Sequence, residues 1–303
     1  MSRRTRGPWF SAASLWGRGQ RKRSDAAPPE ARRLRLESLE DRRLLATYYL
    51  THSNDDMSVG SLRWAITQAN ANPGADTIDT VELEGSILVA HDINLTLNGT
   101  ALPAITDNLA IIGHTGSGIE IGRLIVSGGN LSRVLQVDHG VTLNLSGATI
   151  KEGFAEKTVG SEIYAGHGGA IINHGVLHVI NSTITDSRAT GYGGGIANLG
   201  TMTITNSTIS ASEAPEGGGI INGGTLTVTN STIAGNLATS SVGPAMGGGL
   251  SIRSSASMVT TLDRVTFQGN AAVGSNGVGG SNGVGGSNGV AAMAAASLWR
   301  AAS

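Results

Sequence analysis

The feature that most limits what this chain can fold into is a nine-residue unit that returns with a period of roughly 24. Val176-Leu-His-Val-Ile-Asn-Ser-Thr-Ile184, Thr201-Met-Thr-Ile-Thr-Asn-Ser-Thr-Ile209 and Thr225-Leu-Thr-Val-Thr-Asn-Ser-Thr-Ile233 align without gaps, and their starts are almost evenly spaced. Between them recur glycine clusters carrying an apolar residue: Gly168-Gly169-Ala170-Ile171, Gly193-Gly194-Gly195-Ile196, Gly217-Gly218-Gly219-Ile220 and Gly247-Gly248-Gly249-Leu250. The fourth cluster arrives later than the period requires, which predicts an insertion at 238–246. A stacked coil accepts extra residues at its corners but not inside its strands.

Within Thr225–Thr229 the order Thr-Leu-Thr-Val-Thr alternates, so Leu226 and Val228 point inward, as Met202 and Ile204 do one unit earlier. Glycine is 45 of 303 residues and aromatics are 4%, so a conventional compact core is not available. Beyond residue 46, Thr, Ile, Val, Asn, Ser and Gly displace the helix formers. The prediction is an all-β chain, a right-handed parallel β-helix over 81–272, with two or three strands of four to six residues per coil. Seven or eight coils would span on the order of 35 Å at the usual strand spacing. Leucine-rich and ankyrin arrays do not fit, because neither the leucine spacing nor a paired-helix pattern occurs.

Asn181, Asn206 and Asn230 share one repeat position, and Asn173, Asn198 and Asn222 share another. Stacked asparagines at bends can hydrogen-bond along the coil axis, so both sets are read as structural ladders. The Asn-Ser-Thr triplets also match a glycosylation acceptor, but their register with the coil favours the ladder.

Four regions follow. Residues 1–46 form a basic arm with 12 of the 21 Lys and Arg against 5 acids, a charge of +7 that leaves about −8 on the rest. Residues 47–80 hold a strand and a short helix, with Leu62, Ala65, Ile66 and Ala69 spaced as one apolar face, Ser61 placed to cap its start and Asn72-Pro73-Gly74 to end it. That helix is expected to cap the first coil, covering its open apolar end and unpaired edges. The solenoid occupies 81–272. The segment 273–303 is a low-complexity Gly/Ser/Asn tail followed by Ala, expected to be mobile.

The charge distribution offers no basic stripe, so nucleic acid is not an expected partner. No apolar run is long enough for a membrane span. With no cysteine there is neither a disulfide nor a thiolate metal site. No cofactor is expected.

Two resemblances sharpen this. Leu39-Glu40-Asp41-Arg42-Arg43-Leu44-Leu45 resembles the LEPR-XLL segment near the N-termini of large planctomycete-type surface and secreted proteins, with Asp41 where that motif has proline. It implies an export or surface-sorting signal. Gly60-Ser61-Leu62-Arg63-Trp64-Ala65 followed by Pro73-Gly-Ala-Asp-Thr-Ile78 resembles CSLREA-type and polymorphic outer membrane protein-like β-helix proteins, with Gly60 in place of the cysteine and Trp64 in place of the glutamate. The likeness runs to about residue 270. It implies an exported, cell-surface or outer membrane-associated β-helix; relatives of that type are longer, which makes this chain read as a truncated version.

Carbohydrate-active enzymes share the fold, so the chemistry must be sought residue by residue. A lyase needs clustered acids for calcium and a Lys or Arg base; a glycosidase needs two carboxyls on one groove. The weak candidates are Asp186, Arg188 and Glu213, with Glu213 standing one unit after Arg188 and Ala211 one unit after Asp186. An exposed charge cluster is the simpler reading. His167, His174 and His178 do not have metal-site spacing and are read as coincidental. Gly116-Ser117-Gly118 lacks the following helix of a phosphate loop. The favoured function is a non-enzymatic surface protein that presents a flat Thr/Asn/Ser face to glycans or neighbouring cells. The rival is a polysaccharide lyase or glycoside hydrolase, and a third possibility is a remnant reading frame.

Overall fold

The computed structural model describes residues 45–84, 87–114, 122–158, 163–253, 258–275, 277–281 and 284–286. Two units divide the chain, 1–42 and 43–303, and every described residue belongs to the second. The basic arm, most of the LEPR-XLL-like segment and Gly116-Ser117-Gly118 lie outside the described residues.

Long parallel sheets dominate. One sheet carries, in spatial and chain order, Thr47–Tyr49, Asp76–Asp79, Leu109–Ile112, Thr142–Ser146, Val176–Ile180, Thr201–Thr205, Thr225–Thr229 and Thr260–Asp263. Three further sheets collect the remaining segments of each coil, so the chain leaves a sheet, visits the others and returns one strand further along. This is consistent with a parallel β-helix. A regular coil has four short strands, Thr201–Thr205, Thr208–Ser210, Glu213–Ala214 and Ile220–Asn222, more and shorter than the repeat suggested. Antiparallel pairs interrupt the pattern at Val81–Glu84 with Ile87–Ala90 and at Ala271–Gly274 with Gly277–Ser281. Val284–Gly286 adds in parallel to Leu250–Ile252, so strands reach into the tail that its composition marks as mobile.

Coil length is not constant. Val179 pairs with Ile204, a step of 25, and Ile204 with Val228, a step of 24. Yet Ile111 pairs with Leu145 and Leu145 with Val179, each a step of 34. The longer coils explain why only six strands of the largest sheet fall within 81–270. All extra residues sit between strands. Before the strand at Leu250 the pairing offset rises from 24 at Ala214–Ala238 to 30 at Ile220–Leu250, and it reaches 34 at Leu226–Thr260. The late insertion is therefore split between two corners.

The alternating residues behave as their period requires. Met202, Ile204, Leu226 and Val228 are fully buried and join one continuous core from Leu50 to Val265. At about 25 cal/mol per Å2 of apolar surface, each such side chain contributes roughly 1.5–3 kcal/mol. From Thr142 onward, two corners of each coil hold a left-handed residue. At the first stand Gly147, Asn181, Asn206, Asn230 and Arg264, and at the second Glu152, Asp186, Ala211, Gly235 and Gly269, all with φ between 49° and 63°. Asparagine is the side chain that best tolerates this region. At Gly193, φ is 71° and a Cβ would lie 2.3 Å from the Ile196 carbonyl oxygen, so only glycine fits there.

The one helix among the described residues is Leu62–Ala71. Ser61 caps it, its hydroxyl accepting from the Trp64 N–H at 3.2 Å. Leu62, Ala65, Ile66 and Ala69 are buried in the same core as the coil interiors. Polar side chains on its other faces tie it to the first coil. Arg63 donates to Asp55 Oδ1 and to the carbonyls of Thr100 and Ala101, each at 2.8 Å. Asn70 donates to the Ala104 carbonyl at 2.7 Å and accepts from the Thr106 N–H at 2.9 Å. No helix among the described residues is long and apolar enough to cross a membrane.

Candidate functional site

Of the two candidate acids and one candidate base, Arg188 and Glu213 meet and Asp186 does not. Register pairs Arg188 with Glu213 in the next coil, and their side chains approach to 3.9 Å. Both are well exposed, so the pair is worth about 0–1 kcal/mol. It is flanked in its column by Phe154 and Leu237, so no further charge joins it. With Ala189, Thr190, Ala214 and Pro215 it lines a shallow groove. Asp186 stands apart as the left-handed corner residue, and its Oδ2 accepts from the Thr185 hydroxyl at 2.8 Å.

Asp186 is followed, at the same corner position of the next coil, by Ala211. The neighbour in its column is in the preceding coil, Glu152, because Lys151 pairs with Thr185. The Ser127 hydroxyl donates to Glu152 Oε2 at 2.6 Å, and with Lys151 it holds this carboxyl below the usual carboxylate range. That is the direction of a stabilised anion, opposite to what a general acid requires.

The two asparagine sets have different environments. Asn173, Asn198 and Asn222 are buried and form a column: Asn173 Nδ2 donates to Asn198 Oδ1 and Asn198 Nδ2 to Asn222 Oδ1, each at 2.7 Å. Asn181, Asn206 and Asn230 are exposed corner residues, linked among the described residues by one bond of 3.3 Å from Asn206 to Asn181. What the composition did not reveal is the adjacent serine column. Ser182, Ser207 and Ser231 are buried, and each hydroxyl donates to the carbonyl two residues back, at 2.7, 2.8 and 2.7 Å. The Ser182 and Ser207 N–H groups in turn donate to the next coil's serine hydroxyl at 3.1 Å. A second column runs through Ser187, Ser212, Asn236 and Asn270. The Asn-Ser pair in each repeat thus supplies a left-handed corner and a buried polar clip, a signal that was present but read only through its asparagine.

On the largest sheet the outward residues align in columns. Thr201, Thr203 and Thr205 pair with Thr225, Thr227 and Thr229. The preceding coils contribute Thr142, Asn144 and Ser146, then Val176, His178 and Ile180. His178 Nδ1 and the Thr203 hydroxyl share a 2.6 Å hydrogen bond on this face. His167 and His174 are elsewhere, each against the Tyr164 ring at centroid distances of 5.5 and 5.6 Å. The three histidines, neighbours in the chain, therefore do not form one group. Among the described residues no three His, Asp or Glu side chains are gathered to hold a metal. No protein family, curated protein or solved structure matches the chain, so the family resemblances rest on the motifs themselves.

Proposed function

We propose that this is an exported or cell-surface protein whose stacked coils bind glycans, or neighbouring cells through their glycans, without catalysing a reaction. The observation that carries the reading is the lattice of small hydroxyl side chains on the largest sheet, Thr201, Thr203 and Thr205 in register with Thr225, Thr227 and Thr229. Such a face offers paired donors and acceptors at the strand spacing with little side-chain entropy to lose, which suits hydroxyl-rich ligands. In this reading the coils are right-handed, the hand that parallel crossovers adopt. The helix Leu62–Ala71 serves as their N-terminal cap, a role that the burial of its apolar face supports.

A screen of the full chain against acidic and neutral polysaccharides tests the function. Saturable binding weakened by Thr203→Val and Thr227→Val is expected. Turnover with product release would replace this reading with that of a carbohydrate-active enzyme, and Arg188→Ala and Glu213→Gln would then be the variants to assay. Export is tested by fractionating cells that express the whole chain or a version lacking residues 36–46. Equal retention of both in the cytoplasm would remove the surface role.

A further inference from the structure

Two imidazoles from successive coils meet at one corner of the stack. His139 follows the strand Leu135–Val137, and His174 follows Ile171–Asn173, the strand that pairs with it one coil later. Their ring centres are 5.0 Å apart and the ring planes are inclined at 48°. Aromatic attraction favours rings that are parallel and offset or else perpendicular, and this pair is neither. Convergence on a common ion accounts for the separation. A metal–nitrogen bond of about 2.1 Å places each ring centre roughly 3.2 Å from the ion, so two imidazoles bound at about 90–110° to one another have centres about 4.5–5.2 Å apart. The observed distance falls inside that range.

The backbone beneath both rings is fixed. The His174 N–H donates to the Val137 carbonyl at 2.9 Å, and the Asp138 N–H to that of Ile105 at 3.1 Å. The Gly175 N–H donates at 3.1 Å to Asn173 Oδ1, the first amide of the buried column. A Cβ on Gly175 would stand 2.4 Å from the Asp138 carbonyl oxygen, so glycine is what lets the two corners come this close. The Tyr164 ring, at 63° to His174 and 5.6 Å away, limits the swing of that imidazole. His139 is exposed, which opens the pair to an ion from solvent. Asp138, directly before His139, brings a negative charge to the same corner, and Gln136 Nε2 donates to its Oδ1 at 3.0 Å. Ligands carried on such a frame have little freedom left to lose when an ion binds.

We propose that His139 and His174 form a two-histidine site for a late first-row divalent transition ion, with water in the remaining positions. Neutral imidazole suits copper, nickel and zinc, whereas calcium and magnesium take oxygen ligands. An ion held here staples together the two 34-residue coils. The site does not depend on the glycan reading.

Copper(II) is the probe, because nitrogen ligands hold it more tightly than the other first-row divalent ions. Calorimetry of the full chain, without an affinity tag, resolves one tight site in wild type. His139→Ala and His174→Ala each weaken it by about tenfold or more, and His178→Ala leaves it unchanged. Electron paramagnetic resonance of the one-equivalent complex shows coupling to two imidazole nitrogens in wild type and to no more than one in His139→Ala, whose circular dichroism stays that of wild type because the ring is exposed. Coupling to fewer than two nitrogens in wild type, a tight site that survives His139→Ala, or one that is lost in His178→Ala overturns the proposal.

Discussion

The coils from Val176 to Gly224 and those from Leu109 to Gly175 stack on the same sheets, yet they differ in the length of their corners and in how many polar columns line them. The later pair has 24 or 25 residues per turn, and their corners are lined by polar columns, one of asparagine and two of serine at these coils. The earlier pair needs 34 residues per turn. Where Asn173 begins the buried amide column, the preceding coil has Val137, and beyond Asn222 the next coil has Ile252. The column thus runs through the two compact coils and the last strand of the coil before them. A tight corner has no spare chain with which to satisfy its backbone groups, so side chains must do it at fixed positions. In the longer coil before them, Ser182 and Ser187 accept from the Ala148 and Gly153 N–H groups at 3.2 and 3.0 Å, and at the N-terminal end the helix adds Arg63 and Asn70 and the segment before it adds Asp55.

The sharpest test of this contrast is at the helix. Ile66→Asp would bury an unpaired carboxylate in the core beneath the first coil and cost on the order of 3 kcal/mol or more. Urea unfolding would measure it, and unchanged stability and solubility would mean that the helix adds nothing to the irregular end. Next comes the amide column. Asn198→Ala removes a link from both sides and is expected to cost about 2 kcal/mol, since the partners left behind remain buried. A loss no larger than that of an exposed-surface substitution would show that the compact coils do not depend on their columns.

A smaller effect separates the regions by pH. Burial, then the charges of Arg133, Arg253 and Lys157, push the His167 pKa down to about 4 from 6.5. As pH falls, the unfolded chain takes up this proton first, so stability is full above about 6.5 and is lost as pH drops toward 4. For a half-exposed ring the loss is on the order of 1 kcal/mol once solvent screening is allowed for. His167→Gln should flatten the melting profile between pH 7 and 4.5, and an identical slope in both proteins would refute the assignment. The smallest change is a gain. Ala211 holds φ at 49° where neighbouring coils have Asp186 and Gly235, so Ala211→Gly should stabilise by roughly half a kcal/mol. Destabilisation in a denaturant titration would show that the corner does not strain alanine.

Much of the solenoid was legible because Leu226, Val228, Met202 and Ile204 alternate against threonine in units that align without gaps. The earlier coils were harder to count. Thr142–Ser146 pairs fully with Val176–Ile180, but its sequence, Thr-Leu-Asn-Leu-Ser, lacks the Asn-Ser-Thr ending, and the corner glycine Gly147 replaces asparagine. Ten extra residues between Ile112 and Leu124, compared with Ser146 and Ala148, further hide the period. The contacts that join the His139, Tyr164, His167, His174 and Tyr192 rings were not legible at all. His139, Tyr164, His174, Tyr192 and Arg253 come from connections of different lengths, so no fixed spacing links them, and nothing local marks Arg133 as a donor to the Tyr164, Ala165, His167 and Gly168 carbonyls. Periodicity exposes what every coil repeats; a site assembled once from unequal corners leaves no period.

The buried asparagine column also has a direction. The Gly175 and Gly224 N–H groups donate to Asn173 Oδ1 and Asn222 Oδ1, which fixes the oxygen end of each amide. Each Nδ2 of Asn173 and Asn198 then points toward the following coil, as do the Ser182 and Ser207 N–H groups at the other end of the intervening strands. Aligned dipoles of this kind polarise one another. The stack is therefore electrically asymmetric, with its acceptor end at the earlier coil and its donor end at the later one. A coil added after Asn222 meets a donor in search of an oxygen, and Thr260 answers it with a hydroxyl at 3.0 Å; a coil added before Asn173 meets no such demand. Growth of the compact region by duplication would have a preferred end.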